Sequence, residues 1–217
     1  MRAILITGTD TGVGKTFITY NLARSLKERG VKVGCFKPVE TYVMNVPEDG
    51  RLLATATGQE IEEVVPFTYR LPLSPRAGEI EEGKEVSLRE LEGHFRRLTN
   101  KYELLLVEGA GGIAVPIKER YTYGDLARDW RLEVVIVGRA GLGTINHTYL
   151  SWFYTKALGL KLRGIVLNRF TGEDISERTN PQIIYEMTGM KPLCIRESNS
   201  LELPERDRVA LLELVGL

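Results

Sequence analysis

The sequence predicts an α/β protein: a doubly wound, largely parallel sheet with helices on both faces. Three observations point there. Five short runs are near-continuous in Val, Ile and Leu and do not alternate with polar residues, as strands covered on both faces must be. Segments of helical character separate these runs, so strand and helix alternate along the chain. No repeat or linker divides the 217 residues, and one domain, 1–217, is expected.

The first strand is "AILIT" (3–7), and after a Gly-rich turn "KTFITYNLARSLKERG" (15–30) reads as a helix stopped by Gly30. "VKVGCF" (31–36) is the second strand. "EIEEGKE" (79–85) is dense in charge and reads as a solvated loop. "SLRELEGHFRRLTNKY" (87–102) is helical and leads into "ELLLVE" (103–108), the most apolar strand. "EVVIVG" (133–138), the helix "TINHTYLSWFYTKALG" (144–159) and the strand "LRGIVLN" (162–168) follow. "NPQIIYEMTG" (180–189) closes the series as a helix, with Asn180 as its cap, Pro181 in its first turn and Gly189 as its stop.

Composition narrows the function. Lys plus Arg and Asp plus Glu both number 29, so no basic surplus suggests a nucleic-acid partner. No run approaches the roughly 18 apolar residues that would suggest a membrane span. The N-terminus enters a strand at once, without a signal-peptide layout, and a cytoplasmic location is expected. Cys35 and Cys194 lie in apolar stretches and read as buried free thiols of a reducing compartment. His94 and His147 are too few for a His-based metal site, and His147 is assigned to helix packing.

In open sheets of this kind ligands bind beyond the carboxyl ends of the strands. The first such end carries "GTDTGVGKT" (8–16), one residue longer than the usual G-x-x-x-x-G-K-[ST]. Its glycines let successive N–H groups point into one concavity, Lys15 supplies a point charge for phosphate, and the Thr16 hydroxyl suits Mg²⁺. The stretch Thr11, Gly12, Val13, Gly14, Lys15, Thr16 and Phe17 is therefore the expected ATP-binding segment, and the fold is expected to be P-loop NTPase-like.

Lys37 and the rigid Pro38 follow the second strand. Glu108 ends the most apolar strand, where an unpaired carboxylate is costly; Mg²⁺ or a basic side chain would be its partner. Gly109, Ala110 and Gly111 then permit close backbone approach to phosphates. "GLGTINHT" (141–148) opens a helix whose free N–H groups suit a carboxylate.

"GTDTGVGKT", "FKPVET" (36–41), "VEGAGG" (107–112), "GTINHT" (143–148) and "VLN" (166–168) together resemble, in this order, the dethiobiotin synthetases, ATP-dependent enzymes of biotin synthesis. The resemblance runs from residue 2 to about 170. It implies capture of CO₂ as a carbamate by 7,8-diaminopelargonate, activation by the γ-phosphoryl group of ATP, and closure of a ureido ring. It also implies that Lys37 is catalytic, that Lys37 and Thr41 bind substrate, and that Thr16, Glu108 and Asp49 hold Mg²⁺, with Glu48 the adjacent alternative to Asp49. Asn168 would read adenine. Gly143, Thr144, Ile145 and Asn146 would bind the substrate carboxylate from the neighbouring subunit of a homodimer. "PLCIRES" (192–198) departs from the family's pattern, so no base contact is carried over to Arg196–Ser198. Two rivals share the fold class. Partitioning ATPases carry an extra lysine early in the loop, where this chain has Asp10; cobyrinate-type amidotransferases need a further glutaminase domain.

Overall fold

The computed structural model describes residues 2–217. Its elements, in order, are β1 (Arg2–Gly8), α1 (Lys15–Glu28), β2 (Val33–Phe36), β3 (Val39–Glu40), α2 (Glu48–Thr57), α3 (Ile61–Val64), β4 (Phe67–Thr68), α4 (Pro75–Glu82), α5 (Leu88–Lys101), β5 (Leu104–Gly112), β6 (Pro116–Lys118), β7 (Tyr121–Thr122), α6 (Tyr123–Asp129), β8 (Glu133–Arg139), α7 (Thr144–Ala157), β9 (Leu162–Phe170), α8 (Ile175–Thr188), β10 (Leu193–Arg196) and α9 (Glu205–Leu214). Six strands form one sheet in the order β10-β9-β8-β1-β5-β2, and every pairing in it is parallel.

Burial explains the apolar runs. Ile4 and Ile6 of β1 join Leu106, Val135 and Val137 in a core under α1. Ala3 and Leu5 join Leu105, Val107, Val134 and Ile136 in a second core on the opposite face. Successive side chains of one strand thus enter different cores, and neither set is free to be polar. All five expected strands are present, and β10 extends the sheet beyond them.

Four expectations need correction. The helix expected from Asn180 begins at Ile175, with Asp174 Oδ1 accepting from Ser176 N at 2.8 Å. The polar run from 176 to 180 conceals that start; Pro181 sits inside the helix, where it removes one donor. Asn180 is instead a buried brace whose Nδ2 donates to Ala140 O at 2.8 Å and Gly141 O at 3.1 Å. The charged run 79–85 is largely the second half of α4, capped by Ser74 with Pro75 in its first turn; Glu79 is buried and ion-paired to Arg76 at 2.8 Å. His147 is exposed on α7 and packs nothing into the core. Of the cysteines, Cys35 is buried but Cys194 is only half-buried, and both are free.

Candidate active site

β1 delivers the phosphate loop from the centre of the sheet. Gly12 and Gly14 lie at φ 70° and 95°, the left-handed region that favours glycine. A Cβ on Gly14 would stand 2.1 Å from Asn168 Nδ2, so close approach also excludes a side chain there. Asp10 accepts from Thr11 N at 2.7 Å, and Lys15 Nζ donates to Asp10 O at 3.0 Å, which folds the loop around a concavity. α1 starts at Lys15 with no side-chain cap, so its positive end is open to an anion. Burial lowers the Lys15 ammonium to about 8, against the pull of Glu108. A polyphosphate in the loop would favour its charged form.

β2 and β5, on one side of β1, bring in the rest of the charge. Lys37 Nζ lies 2.7 Å from Glu108 Oε1 and 2.8 Å from Asp49 Oδ2. Thr16 Oγ1 donates to the same Glu108 oxygen at 2.8 Å. Burial by itself would lower the Lys37 pKa, but Glu108 and Asp49 outweigh it and hold it well above the usual lysine value. Burial opposes ionisation of Asp49 too, and Lys37 more than offsets it, so its carboxyl stays below the ordinary range. Glu108 is fully buried, and its Oε2 has no hydrogen-bond partner. An orphaned carboxylate oxygen beside a hydroxyl and a second carboxylate fits a hard, oxygen-preferring cation such as Mg²⁺. Glu48, by contrast, points out as an exposed residue, and Asp49 is the one drawn into the cluster.

Sequence reasoning missed Glu40. It is buried at the end of β3 and accepts from Asp49 N at 3.0 Å and Gly50 N at 2.8 Å. α2 has Pro47 at its cap position and no side-chain cap of its own, so Glu40 supplies one and thereby aims Asp49 at Lys37. The signal available was an acid in "KPVET" close ahead of a short helix that needed a cap.

Glu108 is fully buried behind Lys37 and Thr16, while Lys15, Thr16, Lys37, Glu40 and Asp49 border a cleft of about 620 Å³ that also touches Thr41, Ala110 and Gly111. A smaller cleft of about 240 Å³ adjoins it, with Gly14, Phe17 and Asn168 on one side and Arg196, Glu197 and Ser198 on the other. The segment 196–198, which carries none of the sequence motifs, is therefore brought opposite Asn168 by β10. Asn168 Nδ2 donates to Val13 O at 3.0 Å, so part of its amide is engaged in holding the loop. The Val13 side chain itself is buried in the core. Gly109 lies over the ring of the buried Tyr123 and lines neither cleft. Gly143, Thr144, Ile145 and Asn146 also line neither cleft. They sit at the uncapped start of α7, where Gly143 has φ 91°.

A parallel sheet with a glycine-rich phosphate loop after its central strand, and an acid in the adjacent strand, defines an ATPase of the phosphate-loop class; Glu108, expected to end that strand, lies in its middle because the strand runs on through the glycines to Gly112. Residues 2–202 match the family model described as an AAA domain. The chain is 65% identical over 212 residues to the ATP-dependent dethiobiotin synthetase of Aquifex aeolicus, covering 98% of this chain and 96% of that protein. It is 43% identical over 195 residues to the enzyme of the same name from Bacillus licheniformis, covering 88% of this chain and 83% of the relative. The chain belongs to the ATP-dependent dethiobiotin synthetase family, whose members are ligases that form carbon–nitrogen bonds. Among solved structures, a MinC:MinD cell division protein complex from Aquifex aeolicus shares the fold, with a TM-score of 0.61 and 16% identity over 99% of this chain and 94% of that one.

Proposed function

We propose that the chain, acting as one domain of 217 residues, converts 7,8-diaminopelargonate, CO₂ and ATP to dethiobiotin, ADP and phosphate. The observation that carries this reading is the Lys37 ammonium held between Glu108 and Asp49 at the edge of the cleft that the phosphate loop opens into. Thr11–Phe17, Ala110 and Gly111 would cradle ATP, with Asn168 turned to the base. Thr16, Asp49 and Glu108 would hold Mg²⁺, which supplies positive charge to the transferring phosphoryl group. Lys37 stabilises the negative charge that builds on the carbamate and phosphoryl oxygens, and Thr41 orients the diamine.

The homodimer in this proposal has support of its own. Leu142, Leu150 and Phe153 expose large apolar side chains at and along α7, next to Gly143–Asn146. Burying that face against a second copy would carry the open start of α7 toward the partner's cleft. A cytoplasmic location completes the proposal; among the described residues no helix is long and apolar enough to cross a membrane.

The test is phosphate release with ATP, bicarbonate and diaminopelargonate, each omitted in turn. Release is expected to require all three. Hydrolysis indifferent to the diamine would overturn the reading.

A further inference from the structure

Arg169 follows Asn168 at the end of β9, and its backbone has φ 59°, a left-handed conformation that costs any residue with a Cβ. Glycine would relieve that cost, yet arginine occupies the position. The surroundings hold the conformation from both sides. Asn168 O accepts from Ala140 N at 3.0 Å, and Phe170 O accepts from Glu197 N at 3.1 Å. One residue further on, the buried Glu177 accepts from Thr171 N and Oγ1 at 2.9 Å each and from Gly172 N at 2.6 Å. A strained residue this firmly retained is a functional hypothesis with a visible cause. The Arg169 side chain is exposed, and among the described residues it has no ion pair or hydrogen bond. It is also one of only two residues, with Gly14, that border both the phosphate-side cleft and the base-side cleft.

We infer that Arg169 is a nucleotide-binding residue: its guanidinium spans the mouth between the two clefts and grips the phosphate chain of the ATP that occupies both. This deepens the proposed function and rests on the two clefts being one nucleotide site. A freely ionised guanidinium, with no carboxylate to compete, meets phosphate oxygens in bidentate fashion.

The informative variant is Arg169→Gly, because it removes the guanidinium while favouring the native backbone. Calorimetric titration of ADP into the parent, Arg169→Gly and Arg169→Lys, with thermal melts of each, separates the contributions. Arg169→Gly is expected to weaken ADP binding at least tenfold, equivalent to about 1.4 kcal/mol, with a Tm no lower than the parent's. Arg169→Lys recovers part of the affinity, since it restores charge without the fork. In turnover, Arg169→Gly raises KM for ATP and keeps kcat within about threefold. ADP binding within twofold of the parent, or a collapsed kcat with unchanged ADP binding, would overturn the role of Arg169 alone. A parent that bound no ADP would overturn the nucleotide site and this inference with it.

Discussion

Replacing Lys37 by methionine tests the charge cluster at its centre. Methionine keeps the length of the side chain and removes the ammonium, leaving the fully buried Glu108 without its cation at 2.7 Å and Asp49 without its partner at 2.8 Å. Deleting one member of a buried ion pair costs about 3–5 kcal/mol, because the survivor stays desolvated and uncompensated. At about 2–4 °C per kcal/mol for a chain of this size, Tm should fall by about 6–20 °C. The sign with pH follows from the raised folded pKa of Lys37. Its contribution is fully present below the unfolded lysine value of about 10.4 and is lost only as pH rises beyond it, so the deficit is complete at pH 7. Adding Glu108→Gln to Lys37→Met removes the stranded charge and should return a large part of the lost stability, whereas each single change alone is harmful. Mg²⁺ should raise the Tm of Lys37→Met more than that of the parent, since it offers the same two carboxylates a cation. Thermal denaturation of the four proteins, with and without Mg²⁺, reads all of this. A Lys37→Met protein as stable as the parent, or one that Glu108→Gln does not help, would refute the reasoning.

Catalysis should part from stability at the same residue: Lys37→Gln is expected to lower kcat by about 3 kcal/mol of barrier, and a variant whose only defect is a raised KM for ATP would contradict that role. Asp49→Asn should weaken Mg²⁺ dependence while Glu48→Gln stays near parental, read as activity against Mg²⁺ concentration; equal effects would break the assignment. ADP binding should weaken as pH rises through about 8, because the Lys15 ammonium loses its proton there, and Lys15→Met should flatten that profile. Glu133 is held to about 2 by Arg163, Lys161 and Arg2 against a burial penalty, so Glu133→Gln should cost about 1 kcal/mol at pH 7, a difference that shrinks as pH falls from about 4.3 toward 2. If the open start of α7 serves the partner's site, inactive Thr144→Asp and Lys37→Ala proteins refolded together should regain about a quarter of parental activity, since half the dimers are mixed and one site in each is intact; no recovery with mixed dimers present would rule out a shared site.

The sheet was legible because burial on both faces leaves a strand little choice of residue. Leu5 and Ile6 enter opposite cores, so the run containing them is apolar throughout. The phosphate loop was legible because its backbone demands glycines at left-handed φ and its chemistry demands Lys15 and Thr16. What sequence hid depends on distance along the chain. Glu40 caps a helix that begins 8 residues later, and the pairing exists only once β3 and α2 are docked. The smaller cleft joins residues 14 and 196, which no local pattern connects. α8 was misplaced because Asn180 and Pro181 have the chemistry of a helix start, while tertiary bonds to Ala140 and Gly141 decide what Asn180 does.

Fold likeness alone would not separate this chain from the cell division protein complex that it matches at a TM-score of 0.61 with 16% identity. The discrimination lies in residues placed on that common frame. At the loop, position 10 is an aspartate whose carboxylate accepts from Thr11 N, so the place where a partitioning ATPase would carry an early lysine is spent on shaping the loop of its own chain. At the C-terminus, α9 turns Leu211 and Leu212 into the core against α1 and leaves Glu205, Arg206 and Glu213 outside; its apolar residues are committed to the fold. Leu150 and Phe153 of α7, with Leu142 just ahead of it, remain exposed beside Gly143–Asn146, the face that the proposed dimer would use. The proposed ligase chemistry draws on what is placed on this frame: a glycine-rich loop for the nucleotide and a buried ammonium among carboxylates for the developing charge.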